Sequence, residues 1–281
     1  MKEDKERKFK DLRSRFGFHT TPFTREIRIQ DIYALPFFEE ALTGLLRAIE
    51  ERMSAVVIAP SGTGKSVLLR TLSARLPEAR FKVHYVKVTD LSKRDMCREI
   101  ATAVGAAPAA TYPGLVRTVQ ERFLAMTDGD GLRPVLLLDE AHDMRPDVLG
   151  MVRLITNFDM DSRLVVSVIL AGQPPLEARL FSDSMVDIAR RLAHTATLRI
   201  LSKDETKSYI QHRCAVAGAA TVPLDAGAME TIFGLGHGNL RATDQLALKS
   251  FDVANDDGCD VVDSKHVIQA RRLLWPPQQR K

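Results

Sequence analysis

The chain has 281 residues, 40 Lys+Arg against 36 Asp+Glu, 45% hydrophobic and 27% charged residues, proportions that exclude disordered, collagen-like and coiled-coil classes. Its formal net charge of +4 sits at the ends: residues 1–15 carry seven basic and four acidic side chains, residues 270–281 four basic and none acidic, and the body between is net acidic, so overall charge makes no case for a polyanionic partner. Cys97, Cys214 and Cys259 lack CxxC spacing, which excludes a zinc ribbon or disulfide scaffold, and a charged N-terminus with no apolar run of about 18 residues predicts a cytoplasmic protein with no membrane partner.

After the basic start, FGFHTTPF (16–23) is aromatic and broken by proline, an extended stretch expected to lie on another surface. Phe37, Phe38, Ala41, Leu42, Leu45, Leu46 and Ile49 recur at helical spacing. A β-branched strand follows over 54–59, then a Gly-rich turn, a helix over 65–75 and a strand over 81–89. Helices are predicted over 92–104 and 113–127, a strand over 134–139, a helix after Pro146, a strand over 164–171, a helix over 184–194 and a last strand over 195–200. Apolar strands alternating with helices predict a parallel sheet covered on both faces. From Ser202 no strand pattern remains. Ser202 and Glu205 form a capping box, and helices near 203–217, 224–234, 240–254 and 263–273 predict a small all-helical domain. The expected division is a basic tail (1–15), an α/β nucleotide-binding domain (16–201), a helical domain (202–275) and a basic tail (276–281).

Ala59-Pro60-Ser61-Gly62-Thr63-Gly64-Lys65-Ser66 lies between a strand and a helix. That is the context of a phosphate loop, whose glycines let backbone N–H groups wrap a polyphosphate at a helix N-terminus. Pro60, Ser61, Gly62, Thr63, Gly64, Lys65, Ser66 and Val67 are the expected nucleotide contacts, with Lys65 on the β and γ phosphates and the Ser66 hydroxyl on magnesium. Ala59 stands where the first glycine of the pattern belongs, at a strand end where a small residue suffices. Seventy-four residues after Lys65, four apolar residues deliver Asp139 and Glu140 at a strand terminus. Asp139 is the expected magnesium partner, and Glu140 the group that polarises the attacking water. Asp139-Glu140-Ala141-His142 also spells the DEAH box of two-domain helicases, but the helical remainder has no room for a second such domain. If the 164–171 strand lies between the other two, Gln173 at its end points at the γ-phosphate. Arg190 and Arg191 precede the last strand, where a guanidinium can reach a neighbouring subunit's nucleotide. Arg241 opens a helix of the second domain.

In this order the motifs resemble the AAA+ ATPases, a P-loop α/β fold with a small C-terminal helical lid. FGFHTTPF, VVIAPSGTGKSVLLR, VLLLDEAH, ILAGQPPL, IARRL and GHGNLRATDQLALKS resemble more closely the ExeA branch, which also holds TnsC-like and TniB-like transposition ATPases. The resemblance implies ATP and magnesium as cofactors, ATP hydrolysis stimulated by DNA or a partner, Gln173 as a sensor, Arg191 as the in-trans arginine and Arg241 as the lid arginine, although Asn239-Leu240 replaces the proline usual before it. It also implies rings or helical filaments on duplex DNA that present it to a DDE transposase, with a targeting adaptor as a further partner. The helix at 92–104 resembles the DNA-lining insertion of initiator-type relatives, making Lys93, Arg94, Arg98 and Arg117 the expected contacts to DNA phosphates. The alternatives are a secretion or envelope assembly ATPase acting on proteins, whose membrane span and peptidoglycan-binding module this sequence does not display, and a helicase-loader or initiator ATPase, for which a winged-helix segment is expected.

Overall fold

The computed structural model describes residues 11–274. It opens with a short helix, α1 (Leu12–Phe16), and then forms two units: Pro36–Arg199, and the residues up to Leu35 together with Ile200 onward.

The Pro36–Arg199 unit runs α2 (Pro36–Glu50), β1 (Ser54–Ile58), α3 (Lys65–Arg75), β2 (Phe81–Lys87), α4 (Lys93–Val104), α5 (Tyr112–Leu124), β3 (Arg133–Asp139), α6 (Pro146–Ile155), β4 (Ser167–Gly172), α7 (Pro174–Leu180), α8 (Val186–Ala189) and β5 (Leu192–Thr197). All five strands are parallel, in the order β2-β3-β4-β1-β5. Every residue of β1 and β4 is buried, as a sheet covered on both faces requires. One face takes α4, α5 and α6, where Met96, Ile100, Leu115, Phe123, Leu149 and Val152 meet Val56, Leu136, Leu138 and Leu170. Each such large side chain contributes about 1.5–3 kcal/mol on burial. On β1 and β5 packs α2. Ser92 caps α4 by accepting from the Asp95 N–H. Buried Cys97 has its thiol pushed up to about 11 by desolvation, so the thiolate, the reactive form, is suppressed.

Several predicted boundaries move. The 164–171 strand begins only at Ser167, because pairing to β3 starts with Val135↔Ser167. The helix expected over 184–194 shrinks to α8 after a single tight turn at Asp183–Met185. The reason is the last strand: pairing with β1 begins at Ser54↔Leu192, so residues 192–194 are strand, and β5 ends at Thr197 rather than 200.

The second unit contains α1 and α9 (Lys203–Val216), α10 (Ala226–Gly236), α11 (Leu240–Asp256) and α12 (Ser264–Leu273). Four helices stand where four were predicted, and the Ser202–Glu205 capping box is formed. Residues 16–23 were expected within the α/β domain, but they pack in this unit. Phe16, Phe18 and Phe23 surround Phe251, with ring centroids 4.9, 5.2 and 6.1 Å away, and the His19 N–H donates to Ala217 O at 2.7 Å. Of the predicted basic tails, only residues 11–15 are described. Arg15 donates to Asn255 (2.8 Å) and Asp260 (3.2 Å), so this part of the tail is docked; residues 1–10 and 275–281 lie outside the described residues.

Inside this unit Arg213, buried, donates to the Tyr209 hydroxyl (2.6 Å), to both Asp244 oxygens (3.2 Å) and to Thr24 O (2.8 Å). Burial outweighs Arg213 and Tyr209 and pushes the Asp244 carboxyl up to about 6 from 3.8. The folded chain therefore holds a proton that the unfolded chain has lost between those values, so this group's contribution falls as pH rises from about 4 to about 6. Asp244→Asn is expected to remove this dependence. Urea unfolding at pH 4.5 and 7.5 checks it: the pH-dependent difference should shrink by roughly 2 kcal/mol.

Candidate nucleotide site

The parallel register brings the three signature segments together. Ile58 pairs with Gly172, Asp139 with Ala171, and Lys87 with Asp139, so the residues that follow β1, β3 and β4 emerge side by side at the C-terminal edge, where open α/β sheets hold their ligands. The Gly-rich loop leaves β1 there, after Ala59, whose N–H donates to Gly172 O at 2.9 Å. Gly62 (φ 80) and Gly64 (φ 97) turn through the left-handed region, open at low cost only to glycine, and Thr63 Oγ1 donates to Pro60 O at 2.8 Å. The loop then delivers α3, with Lys65 in its first turn and Ser66 exposed. Gly172 matters in its own right. A Cβ there would come within 2.7 Å of Leu176 and 3.1 Å of the His142 backbone nitrogen, so only glycine lets β4 approach the segment after β3 this closely.

Lys65 and Asp139 are buried, at 7% and 3% side-chain exposure, and form a direct ion pair; Lys65 Nζ also lies 3.1 Å from Glu140 Oε2. Asp139 Oδ1 accepts from the Glu140 N–H at 2.8 Å and Oδ2 from the Tyr85 hydroxyl at 3.1 Å. Burial first, then the negative Asp139, pushes the Tyr85 phenol up to about 12, so it remains a donor throughout the physiological range. Glu140 itself is left-handed at φ 59, a conformation that persists in a non-glycine residue only when its surroundings impose it. They do so here through the Asp143 N–H, which donates to Glu140 O at 2.9 Å, and through Arg179, which donates to His142 O at 3.1 Å and to Met144 O.

The Ser66 hydroxyl and the Asp139 carboxylate are hard oxygen donors of the kind magnesium takes while keeping several waters. Because Oδ1 is engaged by Lys65 and Oδ2 by Tyr85, Asp139 fits such an ion through a water, or directly once Lys65 moves to phosphate. A cavity of ≈ 820 Å³ opens beside Glu140, lined also by Lys87, Asp90, His142, Arg145 and Arg179.

Of the predicted site residues, 60–67, Asp139, Glu140 and Gln173 converge on this edge. Gln173 takes a different partner from the one expected: its Nε2 donates to His142 Nε2 at 2.6 Å. Arg191 is held by both Asp161 oxygens at 2.6 Å, and the neighbouring Arg190 is exposed. Arg241 belongs to the other unit, in the first turn of α11. Lys93, Arg94, Arg98 and Arg117 are exposed on α4 and α5, where Arg94 donates to Ala110 O at 2.7 Å, Arg98 pairs with Asp95 at 2.8 Å and Arg117 lies 3.8 Å from Glu121. Sequence reasoning missed Tyr85, His142 and Arg179. The alternation of β2 and the residue after Ala141 were the available signals, and they become informative only once the strand order is known.

The family model for the AAA domain matches residues 48–180. General secretion pathway protein A of Aeromonas hydrophila is 28% identical over 227 residues, covering 79% of this chain and 41% of that protein; the chain thus spans about two fifths of that relative's length. Among solved structures, Cdc6p from Pyrobaculum aerophilum superposes with a TM-score of 0.70 at 17% identity, over 89% of this chain and 70% of that one. The Aeropyrum pernix ORC1 protein in complex with DNA gives 0.65 at 17%, over 89% and 68%, and the Thermotoga maritima RuvB Holliday junction branch migration motor gives 0.61 at 18%, over 90% and 73%. The fold is the P-loop AAA+ fold, with a helical C-terminal region. None of the described helices is long and apolar enough to cross a membrane.

Proposed function

We propose that this chain is an ATP-hydrolysing AAA+ protein that assembles with copies of itself on duplex DNA and regulates a DDE transposase. The observation that carries the ATPase reading is the convergence of the glycine loop, Lys65, Asp139 and Glu140 at one edge of the sheet. In the reading, Lys65 exchanges its carboxylate partners for the β and γ phosphates, the loop N–H groups cradle the chain of phosphates, and Glu140, released from Lys65, accepts the proton of the attacking water. The Ser66 hydroxyl and the Asp139 carboxylate would hold magnesium, which would supply neutralisation of the phosphate charge. Arg191 supplies a guanidinium to the nucleotide of an adjacent copy, exchanging Asp161 for phosphate, and Arg241 acts as the lid arginine.

For DNA, the support is the exposed basic set on α4 and α5 together with the likeness in fold to the Aeropyrum pernix ORC1 protein in complex with DNA. The ion pairs of Arg98 and Arg117 are exposed, and such pairs are worth about 0–1 kcal/mol, little enough to yield to phosphates. The transposase and its targeting adaptor rest on the motif resemblance. A second reading, a secretion-type ATPase working on protein partners, is favoured by the likeness to general secretion pathway protein A.

One experiment separates the two. With a non-hydrolysable ATP analogue, fluorescence anisotropy on duplex DNA of arbitrary sequence should show binding that weakens steeply with salt. The double substitution K93E/R94E should weaken it at least about tenfold and flatten the salt slope. Failure to bind duplex DNA at low salt would turn the assignment to protein partners.

A further inference from the structure

His142 sits between Glu140, to which the proposed mechanism gives the attacking water, and Gln173, the residue that the motif resemblance implies as a sensor. Gln173 Nε2 donates to its Nε2 at 2.6 Å, so the neutral imidazole carries its hydrogen on Nδ1. That nitrogen faces Glu140 Oε2 at 3.4 Å. Both facing atoms are buried, and neither completes a hydrogen bond of good geometry. Two buried polar atoms of complementary character at that separation need only a small rotation to join, and burial makes leaving them apart costly. The competitor for Glu140 is Lys65 at 3.1 Å. Lys65 cannot serve phosphates and Glu140 equally, and once it turns to phosphates His142 is the side chain left beside Oε2.

The backbone supports this arrangement. Glu140 is held left-handed at φ 59, and Arg179 fastens the turn that carries His142 through His142 O and Met144 O. Gln173 and Arg179 belong to one short stretch, the end of β4 and α7, so that stretch grips the turn by the His142 ring and by its carbonyls.

We infer that His142 is a positioning residue, which couples the Gln173 amide to the Glu140 carboxylate and holds that carboxylate toward the attacking water once Lys65 has moved to the phosphates. The inference rests on the water-activating role of Glu140. His142 itself touches neither nucleotide nor water in this scheme; it donates through Nδ1–H to Oε2 and accepts at Nε2 from Gln173.

The test compares H142A, H142N, Q173A and H142A/Q173A in the full chain, with E140Q alongside. H142A should lower kcat for ATP hydrolysis about tenfold or more, leaving KM and the affinity for a non-hydrolysable analogue within about twofold. H142N, whose amide N–H can replace Nδ1–H, should recover kcat to within about threefold. Q173A should also lower kcat, and the double variant should be no slower than the slower single one, because the two residues act in series. Imidazole ¹⁵N spectra should show the Nδ1–H tautomer in the unsubstituted chain and a mixture in Q173A, a readout that needs no activity and serves if H142A fails to fold. An unchanged kcat in H142A beside an inactive E140Q would overturn the role of His142 alone. Additive losses in the double variant, or an Nε2–H tautomer, would overturn it as well. Hydrolysis surviving in E140Q would overturn the water-activation reading first, and this inference with it.

Discussion

Glu140→Gln is expected to retain ATP binding within about threefold and to lose hydrolysis by at least about 100-fold, the range over which a positioned general base acts. The carboxamide keeps the shape of the side chain and an oxygen for Lys65, now 3.1 Å from Oε2, but it has no lone pair basic enough to take a proton from water. The left-handed backbone at this position is equally strained with Gln, so the fold should not suffer. Calorimetric titration with ATP and a phosphate-release assay under single-turnover conditions read the two halves of the expectation. The ATP-bound assembly should accumulate in electron micrographs of the variant. Undiminished phosphate release would remove Glu140 from the chemistry and leave water activation to another group.

Lys65→Ala should produce a different and double loss. Nucleotide affinity falls, by about 100-fold or more, because the ammonium that meets the phosphates is gone. Stability falls too, for a reason unrelated to nucleotide: Asp139, at 3% exposure, loses its ionic partner, and leaving one member of a buried pair uncompensated costs roughly 3 kcal/mol. The Tyr85 hydroxyl and the Glu140 N–H still donate to Asp139, which limits the loss. The two effects separate in the double variant. K65A/D139N, which removes the buried Asp139 charge together with that of Lys65 and leaves only Glu140 without the ammonium, should regain part of the thermal stability while still failing to bind nucleotide. If K65A is as stable as the unsubstituted chain, the Lys65–Asp139 pair contributes nothing to the fold. A stability loss that D139N does not relieve would place its cause in packing rather than charge.

How much of this was legible beforehand depended on whether the information was local. The glycine loop was readable because its function needs contiguous residues: two glycines that can turn left-handed, a lysine at the helix start and a hydroxyl after it. The Asp139-Glu140 pair was readable because an apolar run must end where the strand leaves the core. The four helices of the second unit were readable from helical spacing and caps, which are properties of neighbouring residues. The last strand was misplaced because Leu192, Ala193 and His194 have no strong periodicity of their own and are drawn into the sheet by pairing with β1. The aromatic segment 16–23 announced that it needed a surface, but not that the surface was Phe251, more than 220 residues further on.

The sequence by itself therefore determined the class of chemistry proposed for this chain, since a glycine-rich loop and paired carboxylates are local arrangements that few other functions require, and it determined that a parallel sheet would carry them. The tertiary structure decided who meets whom across the sheet. The β3–β4 and β1–β4 registers put the residue after Gly172 beside the turn after Glu140, so Gln173 takes His142 as its partner rather than open space, and Lys65 rests on Asp139 and Glu140 rather than in solvent. Those choices belong to register and burial. A side chain buried at the end of a strand must satisfy its polar atoms with whatever the neighbouring strand delivers, and which residue that is depends on strand order, to which residues 31 or 74 positions apart contribute no local signal.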